Sequence, residues 1–264
     1  SMTAPLISAG IPYDLYHIDD RLEIADPPEV GDTEGILYVN YFGVKTKYSD
    51  SLAERYAQSL ILDNSQAFLS TATPGIACLY SPRKFVGVSD GGLLYGVNTS
   101  DTAFEIDVSA DFTRQLIGRV DANAAEFYAD YRRSEESLAG RPIRAMSGFT
   151  RAVLQSLDYD WMRLARERNF WYIHAHLASA NQLRIVPSDV CGPMVYPFWT
   201  NQPGLREKLI GNRIYVAKYW AEVLTNPRRS AVDEQLTNEL LPLPIDQRYS
   251  TADMDRIIET ILDG

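Results

Sequence analysis

Residues 36–42, 60–62, 76–80 and 92–97 are short runs made almost wholly of apolar side chains. A strand with one wet face alternates apolar and polar residues. These runs do not, so each must be covered on both faces. Residues 51–59, between the first two runs, suit a helix, and Gly43 stops the first run. Short strands buried on both sides and joined through helices predict a largely parallel α/β sheet. In such sheets ligands gather outside the carboxyl ends of the strands. Asn40, Asp63 and Ser81, each near the end of a run, therefore become candidates.

The remainder changes character. Residues 111–138 suggest one long helix with a polar side. Asp158 suits the N-cap of a helix from Tyr159 to about Ala178. Phe170, Trp171, Tyr172, Ile173, His174 and His176 on that helix are expected to pack rather than to bind. Residues 183–187 and 194–198 suggest strands, 203–211 a short helix, and 240–245, with two prolines, an edge strand. Ser250 and Asp253 then open a helix, with Met254, Ile257, Ile258 and Ile261 on one apolar face. This pattern predicts a large α/β domain over residues 1–160. A linking helix and a smaller C-terminal α+β domain are expected over 161–264.

The 264 residues carry a net charge of −10, which argues against a nucleic-acid or anionic-membrane surface. No run is long enough to span a bilayer. With Cys78 and Cys191 the only cysteines, neither a disulfide framework nor a metal cluster with His17, His174 or His176 is expected. That usage suits a reducing, cytoplasmic setting.

Chemistry concentrates between Asp63 and Gly92. Lys84 follows Ser81 by three residues and is followed by Phe85 and Val86, with Gly87, Gly91 and Gly92 tightening the chain. An apolar setting lowers a lysine pKa and frees the neutral amine that attacks an aldehyde. A lysine, a hydroxyl for a phosphate and a carboxylate for a pyridinium nitrogen are the parts of a pyridoxal phosphate (PLP) site. Lys84, Ser81 and Asp63 supply those types. Gln66 is either a contact to the same ring or a surface amide. Asn40 is either a donor to the ring's phenolic oxygen or a turn residue before Gly43. Serine β-lactam enzymes also use Ser-x-x-Lys, but the Ser-Asp-Asn and Lys-Thr-Gly elements that accompany it there are absent. Arg83, Arg141 and Arg144 are either sites for an anionic substrate or solvated, ion-paired arginines.

Asp63-x-x-Gln66, Ser81-x-x-Lys84 and Asp90-Gly91-Gly92, in that order, resemble the DegT/DnrJ/StrS aminotransferases. So do Asn40-Tyr41-Phe42-Gly43, Met146-Ser147, Arg168-Asn169-Phe170 and Pro242-Leu243-Pro244. The resemblance covers nearly the whole chain and points to a divergent branch. It implies a type I PLP-transferase-like fold that lacks the family's N-terminal segment, which supplies a helix N-terminus for the phosphate and an aromatic ring over the cofactor. It also implies Lys84 as Schiff-base lysine and proton shuttle, Asp63 as pyridinium partner, Ser81 as phosphate ligand, and Gln66 and Asn40 as ring contacts. The implied protein is a homodimer that moves an amino group from an amino acid to a nucleotide-linked keto sugar for surface polysaccharide. The alternative is a non-catalytic homologue that binds a partner.

Overall fold

The computed structural model describes residues 3–99, 103–123, 125–138 and 140–262. After a short helix α1 (Thr3–Ser8), strand β1 (Ile36–Val39) leads through helix α2 (Thr46–Tyr56) to β2 (Leu60–Asp63), and then to β3 (Ala77–Tyr80) and β4 (Leu93–Tyr95). The four strands lie side by side in chain order. β1, β2 and β3 are parallel, with Ile36 opposite Leu60 and Leu62 opposite Cys78, and β4 closes the sheet antiparallel to β3. The mostly parallel sheet expected from the apolar runs is present. Leu60, Leu62 and Cys78, which share one face of the sheet, are at most 1% exposed, but the opposite face is only partly covered: Ile61 and Ala77 are half-buried and Leu79 is 37% exposed, so the cover on both faces expected from the apolar runs is incomplete.

β1 ends in a sharp reversal. Phe42 (φ 57°) and Gly43 (φ 73°) are both left-handed, and a Cβ on Gly43 would come within 3.0 Å of Cys191 O. Only glycine fits that close approach. Phe42 O accepts from Met194 N at 2.8 Å and Gly43 O accepts from Cys191 N at 2.9 Å, which ties this loop to the second sheet. Just beyond it, Lys45 is buried and donates to Glu23 Oε1 at 2.6 Å, with Asp189 Oδ2 at 3.8 Å.

Residues 111–138 do not form one helix. They give α3 (Arg114–Asp121) and α4 (Tyr128–Ser137). The Asn123 side chain accepts from Ala125 N and Glu126 N, a local alternative to helical bonding that breaks the run. Phe127 then packs where a Cβ on Gly118 would collide.

Helices α5 (Gly148–Gln155) and α6 (Tyr159–Leu177) follow, with Asp158 Oδ1 accepting from Trp161 N as an N-cap. Residues 183–187 form no strand. Asn181 Oδ1 takes the N–H groups of Leu183 and Trp199, which turns the segment across the end of the next strand. That strand, β5 (Val195–Trp199), is followed by α7 (Leu205–Gly211), α8 (Ala231–Glu239), β6 (Leu240–Pro244) and α9 (Thr251–Leu262). β5 and β6 form an antiparallel pair in which Pro197 faces Pro242. A two-stranded ribbon tolerates both, because each strand has a free edge. Met254, Ile257, Ile258 and Ile261 are buried as the period requires, and α9 packs on α6 and α7. The buried apolar residues of both sheets belong to one contiguous cluster. Among the described residues, no helix is long and apolar enough to cross a membrane.

Asn169 on α6 is fully buried and its Nδ2 donates to the carbonyls of Ile245, Asp246 and Tyr249. Replacing it with a similar apolar shape strands those acceptors. Asn169→Leu is expected to cost about 1–3 kcal/mol, read as a lower urea midpoint at unchanged m-value. An unshifted midpoint would show that the three carbonyls find other partners.

Candidate active site

β2 and β3 end together. Asp63 pairs with Leu79, and Asn64 N donates to Leu79 O at 2.8 Å, so the chain leaves both strands on the same edge of the sheet. From β3 it passes Ser81 into the 3-10 turn Pro82–Lys84. Lys84 Nζ then reaches across and donates to Ser65 Oγ at 3.0 Å. Asp63 Oδ1 accepts from Ser65 N at 2.7 Å, the bond of an Asx turn. One carboxylate therefore shapes the turn that offers a hydroxyl to the amine. Ser65 escaped the reading of the sequence, although Asp-x-Ser at a strand end is a recognisable Asx-turn signal.

Two opposed effects act on Lys84. Surrounding protein excludes water from the amine and lowers its pKa from the ordinary lysine value, and Arg83 pushes the same way. Asp63 and Glu135 favour the ammonium and act against it. Burial wins, so Lys84 holds more neutral amine at a given pH than a fully solvated lysine. Lys84 as a whole is nonetheless exposed, so its amine is only partly desolvated and reagents reach it.

Asn40 and Gln66 serve the scaffold around this pair. Asn40 Oδ1 accepts from Lys45 N at 3.2 Å and its backbone N–H donates to Asp63 O at 3.0 Å. Gln66 Oε1 accepts from Phe42 N at 3.2 Å. Both amides are buried and hold the reversal after β1 against β2. Ser81 is half-buried, with an extended backbone, and its side chain does not cap the turn that it opens. The structure thus brings Asp63 and Lys84 together through Ser65. It sets Ser81 at the start of the lysine turn and Asn40 and Gln66 in the loop behind Asp63.

The far end of the lysine loop is fastened to α5. Asp90 accepts from Ser147 N at 2.6 Å, from Ser147 Oγ at 2.9 Å and from Thr150 Oγ1. Gly91 (φ +96°) lies so close to α5 that a Cβ would come within 2.9 Å of Thr150 Cγ2. Beside the loop is a cavity of about 220 Å³ lined by Arg83, Asp90, Asp107, Arg141 and Arg144, among others. Its three arginines are ion-paired: Arg83 with Glu135, Arg141 with Asp107 at 2.9 Å, and Arg144 with Asp107 and Glu105 at 3.5 Å. His174 packs on Phe170 and Trp171 and its Nδ1 lies 3.1 Å from Tyr196 Oη, a packing role. Among the described residues no cluster of metal-binding side chains occurs.

Asp63→Asn keeps the acceptor for Ser65 N but removes the charge that favours the ammonium. The pKa of Lys84 is expected to fall further, so the pH midpoint of its alkylation moves down and labelling at a fixed pH below that midpoint speeds up. Mass spectrometry of the Lys84 peptide across a pH series checks it. An unchanged or raised midpoint would remove Asp63 from the electrostatics of the amine.

No family model and no curated protein sequence matches this chain. Solved structures do. A sugar aminotransferase from Micromonospora echinospora matches with a TM-score of 0.61 at 14% identity, over 98% of this chain and 76% of that one. An aminotransferase from Streptoalloteichus hindustanus matches with a TM-score of 0.55 at 16% identity, over 88% and 66%. A DegT/DnrJ/EryC1/StrS aminotransferase from Brucella abortus matches with a TM-score of 0.52 at 18% identity, over 86% of this chain. The chain spans 63% of the length of the Brucella protein. In fold, the chain is similar to the DegT/DnrJ/EryC1/StrS aminotransferases.

Proposed function

We propose that the chain carries the amine-bearing part of a PLP-dependent aminotransferase site, with Lys84 as the reacting lysine. The observation that carries this reading is the meeting of Lys84 and Asp63 across Ser65, at the carboxyl ends of two parallel strands. The donor set fits the cofactor: an amine with a lowered pKa, and beside it a carboxylate with one oxygen held by a backbone N–H. PLP, when bound, supplies an aldehyde for the amine and a ring that withdraws electrons from the substrate's α-carbon.

The chain's own residues do the rest. Local desolvation raises the share of neutral Lys84 amine available for attack, and once displaced the same amine holds and returns a proton. Ser65 Oγ fixes where that amine rests. Asp63 would hold a protonated ring nitrogen by charge, and Ser81 would contact the phosphate from the start of the lysine turn. Gln66 and Asn40 keep the Asp63 turn from shifting.

The substrates we propose are an amino acid donor and a nucleotide-linked keto sugar used for surface polysaccharide, with the protein acting as a homodimer. The Arg83, Arg141 and Arg144 cavity beside the lysine loop supports an anionic partner, although each cation would have to leave or share a carboxylate.

Adding PLP to the protein is expected to give a visible absorbance band that borohydride fixes as a mass increase on Lys84, with the band absent in Lys84→Ala. A protein that stays colourless with PLP, or that carries the mass on another lysine, would overturn the reading and leave a non-catalytic homologue with this fold.

A further inference from the structure

Among the described residues, Arg166 is the largest side chain that is less than 2% exposed. It sits on α6, and among the described residues no carboxylate is in contact with its charge. Asp246 acts on it only through space, opposed by Arg248, to which Asp246 is ion-paired. Burial lowers the guanidinium pKa to about 10. A buried charge without a partner costs several kcal/mol, and an apolar side chain of similar volume fills such space more cheaply. What arginine adds is a rigid planar fork of donors.

That fork ends on the lysine loop. Arg166 Nη1 donates to Pro193 O at 3.1 Å and to Met194 O at 3.0 Å, which fixes the guanidinium to the segment leading into β5. Its Nε donates to Gln247 Oε1 at 2.8 Å, and Gln247 Nε2 in turn donates to Phe85 O at 3.0 Å. The guanidinium also lies over the Phe85 ring, 4.4 Å from its centroid, while Phe68 packs 5.6 Å from the same ring. Phe85 therefore has its carbonyl and its ring held by one arginine, directly and through one amide. Phe85 is the residue after Lys84, and its N–H closes the 3-10 turn on Pro82 O at 2.8 Å. A shift of Phe85 moves Lys84 with it.

We propose that Arg166 is a positioning residue for the Lys84 amine, acting through the Phe85 ring and the Gln247 amide. It touches neither the amine nor Asp63, so it is not a catalytic residue. This deepens the reading of Lys84 as the reacting amine, and its test needs no cofactor. Failure of PLP to bind would leave it standing.

The test is reductive methylation of the protein with formaldehyde and cyanoborohydride over a pH series. Labelling of Lys84 is scored by mass spectrometry against exposed Lys47 as internal reference. The charges facing the Lys84 amine are Asp63, Glu135 and Arg83, and none of them is altered. In Arg166→Met, Arg166→Lys and Phe85→Leu, water is expected to reach the amine more freely. Its midpoint then moves up toward the ordinary lysine value, and Lys84 labelling at a fixed pH below the midpoint falls several-fold relative to Lys47. Because the ring acts only through its contact with the arginine, the Arg166→Met/Phe85→Leu double variant is expected to shift no further than Arg166→Met alone. Simple destabilisation would lower the melting temperature without moving the midpoint. If Arg166→Met does not fold, Phe85→Leu and Gln247→Met carry the test. A parent-like midpoint in the folded variants, or a parent-like midpoint in Arg166→Lys, would overturn the proposal; the latter would show that charge alone suffices.

Discussion

β2 lies between two parallel partners, and most of the site's geometry follows from that double pairing. Hydrogen bonds from β1 and β3 hold Val39, Asp63 and Leu79 level across the sheet. Slipping β2 by one residue would turn Asp63 to the opposite face and bury its neighbour in its place. The buried faces of Leu60 and Leu62 forbid the slip. The carboxylate is thus placed by apolar side chains that never touch it. From there it needs only the Asx turn to set Ser65 under the Lys84 amine.

The amine itself is balanced between desolvation and nearby acids. Asp63 is itself held by a backbone N–H, and Glu135 is already engaged by Arg83, so neither gives Lys84 an undivided partner. Exposed ion pairs such as Arg132 with Glu136 on α4 are worth only about 0.3–0.5 kcal/mol each. They do little to hold the loop. Packing does more, through Phe85 between Phe68 and Arg166 at one end and Asp90 among the α5 donors at the other.

The placement of Asp63 and Lys84 at one edge of the sheet was legible in the sequence because each ends or follows a short apolar run, where polar groups stand out against packing. The parallel sheet was legible for the same reason. Residues 111–138 misled because apolar spacing continues through Asn123, whose side chain captures two backbone N–H groups. Residues 183–187 misled because β propensity says nothing of Asn181 taking the bonds a strand would need. Asn40 and Gln66 were visible as polar groups near strand ends, but only the fold shows that their amides close backbone loops. The left-handed Phe42 could not be read at all, since only the pull of residues 191–194 on the chain justifies the strain.

Arg166 was the hardest to see, and the reason is physical. On a helix rich in arginine, one more arginine has the pattern of a solvated face, and burial of its charge depends on segments far along the chain. Those segments, 191–194 and 245–249, are irregular, so their backbone groups lack ladder partners and need side-chain donors and acceptors instead. α6 supplies them from Arg166 and Asn169, one turn apart on the same buried side. The polar groups on this helix thus do what a strand's backbone would otherwise do. In doing so they bind the C-terminal segment to the loop that carries Lys84. Residues past 240 therefore help to set the position of an amine at 84, and the site is a property of the two sheets held together by α6, not of the parallel sheet alone.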